Sequence, residues 1–234
     1  MNVEALPRRL YRVHNNSIGP LEPPSQTGGF RFDDFRETAA RFYVLYTGYD
    51  PETCMIEKLQ SFAAGDKEAR AIVDAMPDIK GDTVLPPPNR VSRDFLNQLA
   101  VSRLVADDER SIVEICGRDS LLALPRLASD LGIDGVPDPL KAGDIMQSSY
   151  AVSQRCSVAV HDSTDHVGIR SRSSLDDPAD APGMHINYSL YRLIPKDGGH
   201  LRVPLTRDET KLLIHPDHTN DLMRAIGFLR LEFV

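Results

Sequence analysis

RFYVLYTGYDPETCMIEKLQSF, residues 41–62, predicts a strand, a tight turn and a helix in direct succession. Phe42–Thr47 is an aromatic and β-branched run, which is typical of a buried strand. Asp50 is a good N-cap and Pro51 suits the first position of a helix, so we expect a helix to begin there. This strand–turn–helix block is the part of the chain from which the rest of the fold is interpreted.

The helix of this block has one apolar face. Met55, Leu59 and Phe62 recur at helical spacing and are expected to pack on a sheet. Glu57 lies roughly opposite that face, at ~100° per residue. A glutamate in this position is most simply a solvated surface residue, and it becomes a candidate for catalysis only together with other residues of the chain.

Composition narrows the function classes. The chain has 234 residues, a formal net charge of −7 and a pI of about 5.5, which argues against binding of a nucleic-acid backbone. Three cysteines at long spacings, Cys54, Cys116 and Cys156, indicate neither a disulfide framework nor a zinc site. We find no signal peptide and no apolar run long enough for a membrane span, so we expect a soluble, cytoplasmic protein.

Common catalytic motifs are missing from the sequence. There is no P-loop, no dinucleotide-binding glycine motif, no HExxH and no GxSxG. His161 and His166 have carboxylates nearby, but five residues is a poor spacing for one helical face and the region resembles a loop. We therefore expect no metal site.

Strands and helices are interspersed without a regular βαβ period, so we predict an α+β fold in one domain, residues 1–234. We also expect Phe30 and Phe32 to alternate as in a strand with Arg31 facing away from them, and a helix from Asp138–Pro139 to Arg155 or beyond. Other strands are predicted over Leu10–His14, Ala100–Ala106, Ser111–Cys116, Val167–Arg170, Ile186–Ile194 and Phe228–Val234. Other helices are predicted over Asp66–Met76, from Ser92 to Leu99, from Asp119 or Ser120 to Gly132, and over Thr219–Ile226.

Four short segments together resemble the RES domain family. They are LYRVH (Leu10–His14), GGFRF (Gly28–Phe32), YTGYDPETCMIEKL (Tyr46–Leu59) and GIRSRSSLDDP (Gly168–Pro178), in the order and approximate spacing of that family. The resemblance spans about residues 10–194 and leaves 195–234 as a C-terminal segment, which either completes the sheet or covers a cleft. It implies an ADP-ribosyltransferase-like fold, in which a split mixed β-sheet with flanking helices grips NAD.

The resemblance also implies roles for particular residues. Arg12 and Arg31 would anchor the pyrophosphate of NAD, because a guanidinium can grip phosphate oxygens bidentately. Tyr46 would line the cleft near the nicotinamide. Glu57 would bind the ribose hydroxyls and stabilise the positive charge that develops at the anomeric carbon.

A serine completes the implied set. Ser173 would orient the nicotinamide or the ribose. The family usually has an aromatic residue two positions earlier, where this chain has Ser171, so Ser171 and Ser174 stay open as alternatives. Arg12, Tyr46 and the other candidates could each have a purely structural role instead.

RES proteins are the toxins of bacterial toxin–antitoxin pairs. The resemblance therefore implies a toxin that destroys NAD by hydrolysis or phosphorolysis and is neutralised by an antitoxin with an Xre-type helix-turn-helix domain. The antitoxin would make the DNA contacts. NAD would be the substrate, so no cofactor is implied. Two alternatives stay open, which are a mono-ADP-ribosyltransferase acting on a protein and a RES-fold binding module without turnover.

Overall fold

A computed structural model describes residues 1–22, 30–36, 42–63, 89–107, 109–146, 149–173, 185–193 and 201–234. The chain divides into two compact units. The first unit contains Met1–Arg8, Thr27–Tyr46 and Ala106–Leu205, and the second contains Arg9–Gln26, Thr47–Val105 and Thr206–Val234. Strand β3 (Phe42–Gly48) begins in the first unit and ends in the second.

Besides β3, the elements of the first unit are β1 (Val3–Ala5), β6 (Ser111–Glu114), α3 (Arg118–Asp130), α4 (Ala142–Ile145), α5 (Ala151–Ser163), β7 (Gly168–Arg172) and β8 (Ile186–Leu193). The strands form a mixed sheet in the order β1-β6-β7-β8-β3. Strands β6 and β7 are parallel, whereas β1 pairs antiparallel with β6 and β8 pairs antiparallel with β7.

The core of the first unit lies between its sheet and helix α5. Phe42 and Val44 are two residues apart and therefore lie on the same face of β3. Tyr191 of β8 belongs to the same buried cluster. Cys156 and Val160 supply the apolar side of α5. A sheet face covered by a helix is a usual arrangement for an α+β protein, and it gives α5 a fixed position above the strands.

The second unit contains the strands β2 (Arg9–Asn15), β4 (Arg90–Val91), β5 (Leu99–Ala106), β9 (Leu205–Leu212) and β10 (Glu232–Phe233), and the helices α1 (Pro51–Ala63), α2 (Arg93–Asn97) and α6 (Thr219–Phe228). Strand β2 pairs antiparallel along its whole length with β5, and β9 follows β5 in the sheet. The C-terminal segment therefore completes the sheet through β9, one of the two roles that the sequence left open.

The core of the second unit forms where α1 and α6 pack. Met55, Ile56 and Leu59 of α1 are fully buried together with Ala225 of α6. Asp50 caps α1 as predicted, because its Oδ1 accepts the backbone N–H of Thr53 at 2.7 Å. The apolar stripe read from the sequence is thus the buried face of α1.

The chain is α+β with a mixed sheet and flanking helices, which confirms the predicted fold class. Four local predictions were wrong. The strand predicted over Phe228–Val234 is only Glu232–Phe233, because Phe228 is still part of α6. Phe30–Phe32 is a turn and not a strand. The helix predicted from Asp138 is two helices, α4 and α5, and His161 belongs to α5 rather than to a loop. The helix predicted at 66–76 lies outside the described residues. The single domain over 1–234 stays a prediction.

Arg36 connects two acidic residues in the first unit. Its guanidinium contacts Asp34 at 2.8 Å and Asp162 at 2.5 Å. The side chain of Asp34 has 0% exposure, so its charge is held in a site without solvent. Asp162 Oδ1 also lies 2.6 Å from Nδ1 of His161, whose ring stacks on Phe42 with 4.1 Å between centroids. This network fixes Asp34 and Arg36 against the end of α5.

A buried polar chain stabilises the sheet of the second unit. His14 Nδ1 lies 2.8 Å from the carbonyl oxygen of Ile18, and its Nε2 lies 2.8 Å from Ser102 Oγ. Ser102 Oγ in turn lies 2.7 Å from Thr210 Oγ1. The Nδ1-protonated neutral ring satisfies this pattern, since a carbonyl can only accept. Burial lowers the pKa of His14 accordingly.

Within the described ranges, the chain has no helix that is both long and apolar enough to cross a bilayer.

Candidate functional site

The turn around Arg31 is the most tightly organised part of the candidate site. Asp33 is buried, and its Oδ2 accepts the backbone N–H of Phe30 at 3.0 Å. The hydroxyl of Tyr46 donates to Asp33 Oδ1 at 3.0 Å and accepts the backbone N–H of Phe32 at 3.0 Å. Tyr46 and Asp33 therefore close the turn from both ends, and Arg31 lies at its centre.

The pKa of Tyr46 is raised well above its usual value by burial and by the negative charge of Asp33. The phenol consequently keeps its proton and acts as a donor to the carboxylate. The ring of Tyr46 also lies 5.7 Å from that of Phe30. The hydroxyl of Tyr46 thus has a structural task in this turn, besides any contact that its ring makes with a ligand.

Two contacts orient the side chain of Arg31. Its Nη1 donates to the carbonyl oxygen of Ile145 at 2.9 Å. Its Cζ lies 4.8 Å from the centroid of the Tyr150 ring, within the range of a cation–π contact. A guanidinium has five N–H donors and can hold a backbone carbonyl while it also binds an anion.

Burial raises the pKa of the Cys116 thiol to about 11. The positive charges of Arg31 and Arg172 act on this pKa in the opposite direction, and the effect of burial is larger.

The serine candidates lie at the end of β7. Ser171 is buried and pairs with Asn187 of β8, so the strand continues past Arg170, where the sequence predicted its end. Ile169, two residues earlier on the same face, is part of the core cluster that includes Tyr46. Ser173 is also buried, and its backbone N–H donates to His185 O at 2.8 Å. Ser174 lies outside the described residues.

Glu57 is half-buried on α1, in the second unit. Its Oε2 accepts a hydrogen bond from Gln60 Nε2 at 3.1 Å, one helical turn further on. The neighbouring side chains Met55, Ile56 and Leu59 are fully buried, so the helix backbone at Glu57 is fixed by packing. The carboxylate is thus presented from a rigid element at a partly exposed position.

Arg12 occupies β2 of the same unit. Its Nη1 donates to the carbonyl oxygen of Glu22 at 2.9 Å and to that of Pro20. Tyr11 and Val13, the neighbours on either side, pack on the core cluster that contains α1. Because side chains alternate along a strand, Arg12 lies on the face of β2 away from that cluster. In this structure its guanidinium organises the loop that follows β2.

The structure thus joins the Tyr46 hydroxyl to the turn that contains Arg31, and it places Ser171 on the same face of β7 as Ile169, whose core cluster packs against Tyr46. Arg12 and Glu57 are both in the second unit. Helix α1, which carries Glu57, packs on the face of β2 that contains Tyr11 and Val13, and Arg12 lies on the other face. None of the described parts of the chain contains a group of three or more His, Cys, Asp or Glu side chains that could hold a metal ion.

Comparisons with known proteins identify the family of this chain. The RES domain family model matches residues 9–213, and the chain therefore belongs to the RES domain family. A solved structure described as the crystal structure of the M. tuberculosis MbcT-MbcA toxin-antitoxin complex contains a similar chain. The TM-score is 0.55 at 11% identity, with 92% of this chain and 89% of that chain covered. Identity this low is evidence for the fold alone. No curated protein matches the sequence.

Several residues of the site were missed by the sequence analysis. Asp33 and Tyr150 are the main ones, together with Gln60 beside Glu57. The two acidic residues directly after GGFRF were an available signal for Asp33, since a carboxylate often accepts backbone N–H groups of its own turn. Nothing in the local sequence indicates that Tyr150, more than one hundred residues away, contacts Arg31.

Proposed function

We propose that this chain is the toxin of a bacterial toxin–antitoxin system and that it cleaves the nicotinamide–ribose bond of NAD. Membership of the RES family over residues 9–213 carries the proposal, because the matched range includes every candidate residue from Arg12 to Ser173. The organised turn around Arg31 adds physical support, since it presents a fixed cation of the kind that a pyrophosphate requires.

In the proposed reaction, the bond between the anomeric carbon and the nicotinamide nitrogen breaks and its electron pair leaves with nicotinamide. The ribose passes through an oxocarbenium-like transition state. The carboxylate of Glu57 stabilises that positive charge and binds a ribose hydroxyl. Water then adds to the anomeric carbon and releases a proton, giving ADP-ribose. Phosphate as the acceptor gives the 1″-phosphate of ADP-ribose instead.

Arg31 is the proposed anchor for the pyrophosphate. Its contacts with Ile145 O and with the Tyr150 ring fix the guanidinium plane before a ligand arrives. Arg12 is proposed as a second anchor and Tyr46 as the aromatic residue near the nicotinamide. Ser173, with Ser171 as the alternative, is proposed to orient the nicotinamide or ribose.

The proposed partner is an antitoxin with an Xre-type helix-turn-helix domain. The similar M. tuberculosis chain was solved in a toxin–antitoxin complex, which supports an antitoxin partner. The net charge of −7 is consistent with a complex in which the antitoxin, and not this chain, contacts DNA.

Expression in bacteria tests the proposed function. We expect induction of the wild-type chain to lower cellular NAD and stop growth, and Glu57→Gln to leave both unchanged at equal soluble protein. Glu52→Gln is the matched control, because Glu52 is on the same helix and pairs with Arg224. Co-expression with the antitoxin is expected to restore growth.

Other outcomes identify the alternatives. Growth arrest with normal NAD and a newly ADP-ribosylated cellular protein would indicate the mono-ADP-ribosyltransferase. Normal growth and normal NAD with abundant soluble wild-type protein would contradict the toxin proposal and favour a binding module.

A further inference from the structure

Tyr150 and three side chains of α5 contact residues of the Arg31 turn or Phe42, and they are called the stripe below. Gln154, Ser157 and His161 are spaced by three and four residues, which places them along one face of α5. Tyr150 is the residue directly before the helix. The stripe is unusual in a helix whose other buried positions are mainly small or apolar.

The three members of the stripe within α5 contact Phe30, Phe32 and Phe42. Gln154 Nε2 donates to Phe30 O at 2.9 Å, and Ser157 Oγ donates to Phe32 O at 2.7 Å. These two bonds lie on either side of Arg31 in the sequence. His161 stacks on Phe42 further along. The backbone on both sides of Arg31 is therefore fixed by the same helix.

Tyr150 completes this clamp by contacting the Arg31 side chain itself. Its backbone lies in the left-handed region, with φ 53° and ψ −8°, at the residue before the first turn of α5. A tyrosine rarely adopts that conformation, and residues held there are often found at functional sites. The carbonyl of Tyr150 accepts Gln154 N–H at 2.9 Å and Ser153 Oγ at 2.8 Å, which ties its backbone to the helix.

We propose that Tyr150 is a positioning residue that holds the Arg31 guanidinium in the orientation needed to bind the pyrophosphate of NAD. This inference rests on the proposed function. Arginine has many side-chain conformers, and a ligand that must order them loses affinity. The Tyr150 ring on one side and Ile145 O on another restrict those conformers in advance. Removing the ring is therefore expected to weaken binding of pyrophosphate compounds more than it slows the chemical step.

Kinetics on the purified chain test this role. Tyr150→Asn removes the ring and keeps a residue that tolerates the left-handed backbone, whereas Tyr150→Phe keeps the ring. We expect Tyr150→Asn to raise the KM for NAD roughly fivefold to tenfold with kcat within about twofold, and Tyr150→Phe to behave like the wild type. Binding of ADP-ribose, measured by calorimetry, should weaken by the same factor. Tyr43→Asn serves as a control for loss of a half-buried tyrosine.

Results that would contradict the role of Tyr150 differ from results that would contradict the proposed function. A fall in kcat without a change in KM, or equal damage by Tyr150→Phe, would overturn the role of Tyr150 while leaving NAD cleavage established. A wild-type chain that neither cleaves NAD nor binds ADP-ribose would refute the proposed function and this role with it. If Tyr150→Asn fails to fold, Tyr150→Gly also removes the ring with the backbone conformation kept, and the same two readouts apply.

Discussion

Replacing Tyr46 with phenylalanine removes one oxygen atom and two hydrogen bonds from the Arg31 turn. The lost oxygen donates to Asp33 Oδ1 and accepts from Phe32 N–H, each at 3.0 Å. Asp33 is only 3% exposed, so water does not readily replace the lost donor. A hydrogen bond to a charged group contributes about 1.5–3 kcal/mol, and an unpaired buried N–H costs about 1–3 kcal/mol. The phenylalanine ring retains the packing on Phe30.

We therefore expect Tyr46→Phe to lower the free energy of unfolding by roughly 2–4 kcal/mol. Urea unfolding followed by circular dichroism measures this difference, with an unchanged m-value as the sign of a comparable unfolded state. Tyr43→Phe is the matched control, since Tyr43 is also half-buried on β3 and its hydroxyl has no hydrogen-bond partner among the described residues. A loss below about 0.5 kcal/mol for Tyr46→Phe, equal to the control, would refute the structural role of the hydroxyl.

Three further predictions concern stability. Arg36→Met leaves the buried carboxylate of Asp34 without its cation and should lower the free energy of unfolding in urea by roughly 2–4 kcal/mol. Arg126→Met, at an exposed arginine, should change that free energy by less than about 0.5 kcal/mol. Equal effects of the two substitutions would contradict the stabilising role of the buried pair. Asp50→Ala removes the cap of α1 and should cost about 1–2 kcal/mol, so an unchanged urea midpoint would contradict the cap. Burial lowers the pKa of His14 in the folded state, so the unfolded chain binds more protons and the free energy of unfolding should fall as the pH drops below about 6.5. His14→Gln should make this loss of stability between pH 7.5 and 5 smaller. An equal loss in the variant and the wild type would show that other groups cause it.

Local sequence was sufficient for the elements whose cause is local. Asp50 and Pro51 define the start of α1 through capping alone, and the stripe from Met55 to Phe62 defines its buried face. The alternation of Phe30 and Phe32 was misleading because the cause of this turn is not local to the two residues. The backbone N–H groups of Phe30 and Phe32 donate to Asp33 and Tyr46 instead of to a neighbouring strand. Side-chain alternation does not indicate which partner a backbone N–H group will have.

Residues of the candidate site could be predicted only where they belong to short segments that resemble a known family. Arg31 and Glu57 belong to segments that resemble a family, so the sequence indicated them as candidates. The contact between Arg31 and Tyr150 joins residues far apart in the chain, and it depends on where α5 packs. Long-range packing of this kind is set by the whole core and leaves no local pattern around Tyr150.

The most direct test of the central claim is the loss of NAD over time with the purified chain, followed by separation of the products. We expect the wild type to release nicotinamide, and Glu57→Gln to be slower by roughly 100-fold or more, while Glu52→Gln keeps full activity. A rate that rises with added phosphate, with formation of the 1″-phosphate, would identify phosphorolysis, and ADP-ribose alone would identify hydrolysis. Stable NAD with the folded wild-type chain, or an equal rate with Glu57→Gln, would contradict the claim that this chain cleaves NAD at Glu57.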